Sequence, residues 1–142
     1  MKPDAMIIDI DGVMAKAPIV TTTHDDAYDQ WEAGIDTAPF NAFMGPIIAG
    51  IETTDTALIF MTARRELLRE RTEAWLQFYL GHSNWQLLMG RDLDETGTQS
   101  KTRHTKAVLE SYNVLCAIDD NPDNVVTFRE FGIPTFHVRG GD

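Results

Sequence analysis

The feature that most limits how this chain can fold is a set of short runs that are apolar almost throughout. They are "AMIIDI" from Ala5, "TALIFMT" from Thr56, "WQLLM" from Trp85, "VLCAI" from Val114 and "PTFHV" from Pro134. A strand with one face in water alternates apolar and polar residues, whereas a strand buried on both faces does not. The segments between these runs have helical character. "RRELLRERTEAWLQFYLG" sets Leu68, Trp75, Leu76 and Tyr79 on one face and ends at Gly81, a natural C-terminal cap. "PIIAGIE" reads as a helix with Pro46 in its first turn, "KAVLESYN" as a short helix, and "VVTFREFG" as a helix stopped near Gly132. The stretch from Thr21 to Pro39 reads as a loop or short flap, and "GRDLDETGTQSKT" as a loop. Repeated strand–helix–strand units predict an α/β protein, a Rossmann-like parallel sheet flanked by helices. With 142 residues and neither linker nor internal repeat, one domain over 1–142 is expected.

Composition narrows the partners. Asp and Glu number 22 against 12 Lys and Arg, a net charge of −10. Such a balance excludes a broad basic track for duplex nucleic acid, though not the local reading of one phosphate. No stretch is long enough to span a bilayer, and no apolar leader with a cleavage site precedes the first strand. The single cysteine, Cys116, forms no internal disulfide and fits a reducing, cytoplasmic setting. No required protein partner and no membrane association are expected.

In parallel sheets the ligand sits at the carboxyl ends of the strands. Here those ends carry Asp9 and Asp11, then Thr62 with Arg64 and Arg65, then Asp119 and Asp120, with Lys106 on the helix before the fourth strand. Aspartate is disfavoured in strands and costly to bury unpaired, so two of them at the end of a core strand call for a chemical reason. Four converging carboxylates repel one another and raise one another's pKa values. A hard cation such as Mg2+ relieves that conflict and binds alongside phosphate oxygens. Lysine, threonine and arginine suit the phosphate. The set points to phosphoryl transfer, with one aspartate as nucleophile and the other as proton donor and acceptor.

"DIDGV", "MTARR", a downstream lysine and "IDDN", in that order, resemble the four motifs of the haloacid dehalogenase (HAD) superfamily of phosphatases. "NAFMGPIIAGIETTDTALIFMTAR" and "LCAIDDNPDNVVTFREFGIPTFHVRGGD" are similar to the 3′-phosphatase domains of bacteriophage polynucleotide kinases. The resemblance implies a HAD-like fold with a minimal cap or none. It implies Asp9 as nucleophile and Asp11 as general acid/base, with Thr62 on the transferred phosphoryl group and Arg64 on the substrate phosphate. Lys106 would neutralise developing charge, with Lys101 as the alternative lysine. Asp9, the backbone carbonyl of Asp11, Asp119 and Asp120 would hold Mg2+. Val13 departs from the pattern, where threonine is usual. The substrate implied is a phosphorylated nucleic-acid end. A phosphatase of free nucleotides or other small esters is the alternative, and a non-catalytic binding module on the same fold is the second.

Several residues have simpler readings. Asp123 reads as a helix cap, and Tyr28 and Trp31 either cover the core edge or stack on a nucleobase. "RDLDETG", with Arg91 beside it, reads as a polar loop at the rim of the site. The four histidines show no metal-ligand spacing.

Overall fold

The computed structural model describes residues 1–22, 26–81, 84–91 and 95–139. The residues at 92–94, His24, His82 and the closing Gly141 and Asp142 lie outside this set. Five strands, β1 (Asp4–Ile8), β2 (Ala57–Arg65), β3 (Trp85–Gly90), β4 (Asn113–Asp119) and β5 (Thr135–His137), form one sheet in the order β3-β2-β1-β4-β5. Every neighbouring pair is parallel. Among the described residues five α-helices accompany them: α1 (Asp26–Gly34), α2 (Met44–Glu52), α3 (Arg69–Leu80), α4 (Gly97–Ser111) and α5 (Pro122–Glu130).

β1, β2 and the second half of β4 are largely buried on both faces, as their lack of alternation requires, whereas the edge strand β5 in "PTFHV" holds no buried residue and leaves Phe136 exposed. Ile8 and Phe60 point into a cluster with Met44, Ile48, Trp75 and Leu76, under α2 and α3. Their chain neighbours Ile7 and Ile59 point the other way, into a cluster with Val108 and Phe128, under α4 and α5. The chain runs outward from β1 to β2 and β3, then returns to place β4 on the other side of β1. The order therefore reverses beside β1, and a crevice opens beyond the ends of β1 and β4, where such sheets bind ligands.

Three differences from the sequence reading bear on the site. Residues 64–65 continue β2, and α3 starts at Arg69 after a 3₁₀ turn, Glu66–Leu68. The stretch read as a flap contains a true helix, α1, followed by the 3₁₀ turn Ile35–Thr37. It is tied to α3: Arg71 donates to the Glu32 carbonyl (2.8 Å) and to Asp36 Oδ1 (2.9 Å), and Trp75 Nε1 donates to the Ala38 carbonyl (2.8 Å). Beyond this insert no cap is present among the described residues.

The third difference matters most. α4 begins at Gly97, nine residues before the expected start at Lys106. Thr96 accepts from Gln99 N while the Gln99 side chain reaches back to Thr96 N, a capping box that satisfies donors at the helix start. Among the described residues no helix is long and apolar enough to cross a membrane.

Candidate active site

The loop after β1 folds back tightly. Val13 N and Ala15 N both donate to the Ile10 carbonyl, and Gly12 N donates to that of Ala15. Gly12 adopts φ 83°, and a Cβ there would overlap the Asp120 carboxylate. Glycine thus serves both the left-handed backbone and the close approach of an acidic side chain. Val13 is fully buried, and its carbonyl accepts from buried Asn41 Nδ2 at 2.8 Å. That clamp fixes the loop against the entry to α2, and the place of the Val13 side chain in the buried core cluster accounts for an apolar residue at position 13.

Asp9 is buried, and its N–H donates to the Ile118 carbonyl of β4 at 3.0 Å. Its carboxylate faces Lys101 Nζ at 3.0 Å, and the same ammonium donates to Asp119 Oδ2 at 2.6 Å. Lys101 is 1% exposed, whereas Lys106, expected at the site, is on the solvent side of α4. The reason is the earlier helix start. At roughly 3.6 residues per turn, five residues place Lys106 about 140° around α4 from Lys101.

Asp119 is oriented from its other side: its Oδ1 accepts from Asn121 N (2.9 Å) and from Asn124 Nδ2 (3.4 Å). Asn124 in turn accepts from Thr98 Oγ1 (3.0 Å), which ties the start of α4 to α5. The α5 cap is Asn121, whose side chain accepts from Asp123 N, with Pro122 in the first turn. It is not Asp123.

Asp9, Asp119 and Asp120 each offer an oxygen, all within 4.8 Å of one another. Three carboxylates against one ammonium leave two negative charges in a crevice that is mostly buried. Burial, more than any other cause, drives the Asp9 carboxyl well above the usual range. Lys101 pulls it down, and Asp119 and Asp120 push it further up. Burial disfavours the Lys101 ammonium too, but Asp9 and Asp119 outweigh that and hold it protonated. A divalent cation fits this set on both counts: the donors are hard oxygens and the charge it brings matches the excess. The Asp11 carboxylate is not part of the group.

Asp11 belongs to a second pair. Arg64 Nε donates to its Oδ2 (2.9 Å) and Nη2 to its Oδ1 (2.8 Å), a two-pronged contact. The Asp11 side chain stays 25% exposed while Arg64 is buried. Arg64 Nη1 donates to Thr72 Oγ1 at 3.2 Å. The guanidinium expected on a substrate phosphate is instead turned to Asp11. Thr62, buried three residues before the end of β2, accepts from Arg64 N at 3.1 Å, which leaves its own hydroxyl proton to donate. Another cation is also engaged: Arg103 grips Glu95, whose carboxyl it lowers to about 2, and the backbone N–H of Arg91 donates to the same carboxylate.

The motifs converge as their order implied. The sequence reading held Lys101 only as the alternative to Lys106, and passed over Asn41, Thr72, Thr98 and Asn124. For the lysine a readable signal existed, the Thr96–Gln99 capping box that starts α4 early.

Residues 3–142 match the family described as the polynucleotide kinase PNKP phosphatase domain. The chain belongs to that family. It is a HAD-type phosphatase domain, a hydrolase by class. Among curated proteins none matches it. A solved chain of the Pnkp1/Rnl/Hen1 RNA repair complex superposes with a TM-score of 0.74 at 23% identity, covering 99% of this chain and 44% of that one. The HAD domain of the effector protein Lem4 from Legionella pneumophila gives a TM-score of 0.62 at 9% identity, covering 99% and 88%. A hydrolase from Streptococcus pneumoniae TIGR4 gives 0.62 at 10%, covering 99% and 94%. These likenesses are of fold. This phosphatase domain spans less than half of the repair-complex chain it resembles.

Proposed function

We propose that this domain removes the terminal phosphate from the 3′ end of DNA or RNA through an aspartyl-phosphate on Asp9. The observation that carries the reading is the unlike treatment of two carboxylates two residues apart: Asp9 lies buried against Lys101 and two further acids, and Asp11 lies half open on a buried arginine. Family membership supports the phosphate chemistry.

Asp9 attacks phosphorus, and the bond to the leaving 3′ oxygen breaks as Asp11 gives that oxygen its proton. Asp11 then takes a proton from water, the water oxygen attacks the phosphoryl group, and the Asp9 carboxylate is released with inorganic phosphate. Arg64 fixes the direction of the Asp11 carboxylate in both halves. Thr62 donates its hydroxyl to a phosphoryl oxygen, and Lys101, rather than Lys106, offsets negative charge beside Asp9. Asp9, Asp119 and Asp120 would hold Mg2+ with the Asp11 carbonyl, and the ion would supply the positive charge that lets a phosphate approach three acids. A reducing cytoplasm suits the lone, buried Cys116.

A second reading, a phosphatase of free nucleotides, draws on the net charge of −10 and on the pairing of Arg64 and Arg103 within the protein. Phosphate release from 3′-phosphorylated oligonucleotides, 5′-phosphorylated oligonucleotides and mononucleotides, each with and without EDTA, tests both. The first reading expects turnover of the 3′-phosphorylated ends, lost in EDTA. Preference for mononucleotides favours the second. No turnover of any ester with Mg2+ present leaves a non-catalytic module.

A further inference from the structure

Beside Asp11 a cleft of about 320 Å3 opens between α1 and the end of β2, lined by Asp11, Tyr28, Trp31, Ala63, Arg64 and Arg65. We infer that this cleft holds the terminal nucleobase of the substrate, stacked on the Tyr28–Trp31 face, while the phosphate reaches Asp9. The inference rests on the phosphatase reading above and names the part of the substrate that reading left open.

Tyr28 and Trp31 stand three residues apart on α1, so they share one face, and their rings lie 5.6 Å apart. Core packing does not account for both. α1 has no buried residue, Tyr28 is 38% exposed, and only Trp31 leans on the core cluster. The Arg65 guanidinium lies 4.6 Å from the centre of the Tyr28 ring, and that of Arg64 5.8 Å from the Trp31 ring. At these distances each guanidinium already covers one ring face, so a flat π system would be received on the exposed side of Tyr28, next to the cations, rather than between ring and guanidinium. The floor is small and open at Ala63, between Thr62 and Arg64.

Position supplies the rest. The cleft touches Asp11, the residue assigned to the leaving oxygen. In a nucleoside phosphate the group on the far side of that oxygen is a sugar bearing a base. The platform is also set before binding, because Glu32 and Asp36 tether α1 and the following turn to Arg71. The volume lies at the lower end of the roughly 300–1,000 Å3 common for ligand sites, enough for one nucleoside but not for a longer run of stacked bases. Ring faces read any base, so the site tolerates all four.

The test compares two substrates on each protein. One is a short oligonucleotide with an ordinary 3′-phosphorylated nucleoside, and the other is the same strand with an abasic 3′-phosphorylated residue. The readout is the ratio of their kcat/KM values, from which the active fraction of a weakened variant cancels. For the unaltered protein the ratio should be about 5 to 150, the span that base–aromatic stacking commands. In Tyr28→Leu it should fall toward one, with Trp31→Leu as the second variant if that protein folds poorly. A ratio near one in the unaltered protein overturns the inference, as does a ratio that survives both substitutions. In either case hydrolysis of the strands still upholds the phosphatase reading. If neither strand nor a small aliphatic phosphate ester is hydrolysed with Mg2+ present, the phosphatase reading fails and the base site fails with it.

Discussion

Asp9 and Asp11 are two residues apart in the chain and in two different electrostatic regions of the molecule. On the β4 side, Asp9 shares one ammonium with Asp119 and lies near Asp120, so negative charge is left over in a buried space. On the β2 side, Asp11 and Arg64 balance one for one, with Thr72 holding the guanidinium from behind. The first region carries the negative charge that a bound cation would balance. The second is complete in itself and keeps one carboxylate aimed. Burying an unbalanced set of charges costs stability, and a fold tolerates it where a ligand later restores the balance.

The sharpest way to break this contrast is at Asp9. On the proposed role of Asp9 as nucleophile, Asp9→Asn should lower kcat by at least about a thousandfold. In the absence of metal it should melt no lower than the unaltered protein, since a repelled carboxylate has been replaced by a neutral amide. A marked drop in its metal-free melting temperature would contradict the charge imbalance.

Lysine substitutions come next. Lys101→Met should lower kcat about a hundredfold or more. It should also destabilise the metal-free fold by about 3–5 kcal/mol, as removing one partner of a buried ion pair does. Lys106→Ala should leave activity intact and change stability by no more than about 0.5 kcal/mol, as exposed positions do. The reverse pattern in kinetics and thermal melts would return the role to Lys106.

On the balanced side, Arg64→Lys keeps the charge and loses the two-pronged grip. Displacing a catalytic group by about 1 Å can cost about a hundredfold, so kcat should fall by up to that amount. KM should change little if the arginine orients Asp11 rather than holding substrate. A large rise in KM with kcat unchanged would place Arg64 on the phosphate after all.

The smallest effect is thermal. Mg2+ at about a hundred times its dissociation constant adds about 2.7 kcal/mol by mass action, several degrees of melting temperature for a domain of this size. Asp120→Ala should blunt the shift, and Arg64→Lys should leave it alone. An equal loss in both variants would mean that the two regions are not separate.

The sequence by itself determined the sheet and the edge that carries the chemistry. Apolar runs such as "AMIIDI" and "TALIFMT" can be satisfied only where both faces are covered, and the βα alternation then brings the acidic strand ends together. Local pattern also held the α4 start in Thr96 and Gln99, a short signal inside a polar stretch with no apolar period to announce it. Only the tertiary structure decided which cations meet which acids. Lys101 and Lys106 are alike in type and five residues apart, and the angle around a packed helix separates them. Arg64 meets Asp11 across 53 positions of chain, and Asn124 meets Thr98 across 26. Such contacts depend on how β2, α4 and α5 pack around β1, and no local preference of the chain encodes a distance between elements so far apart in sequence.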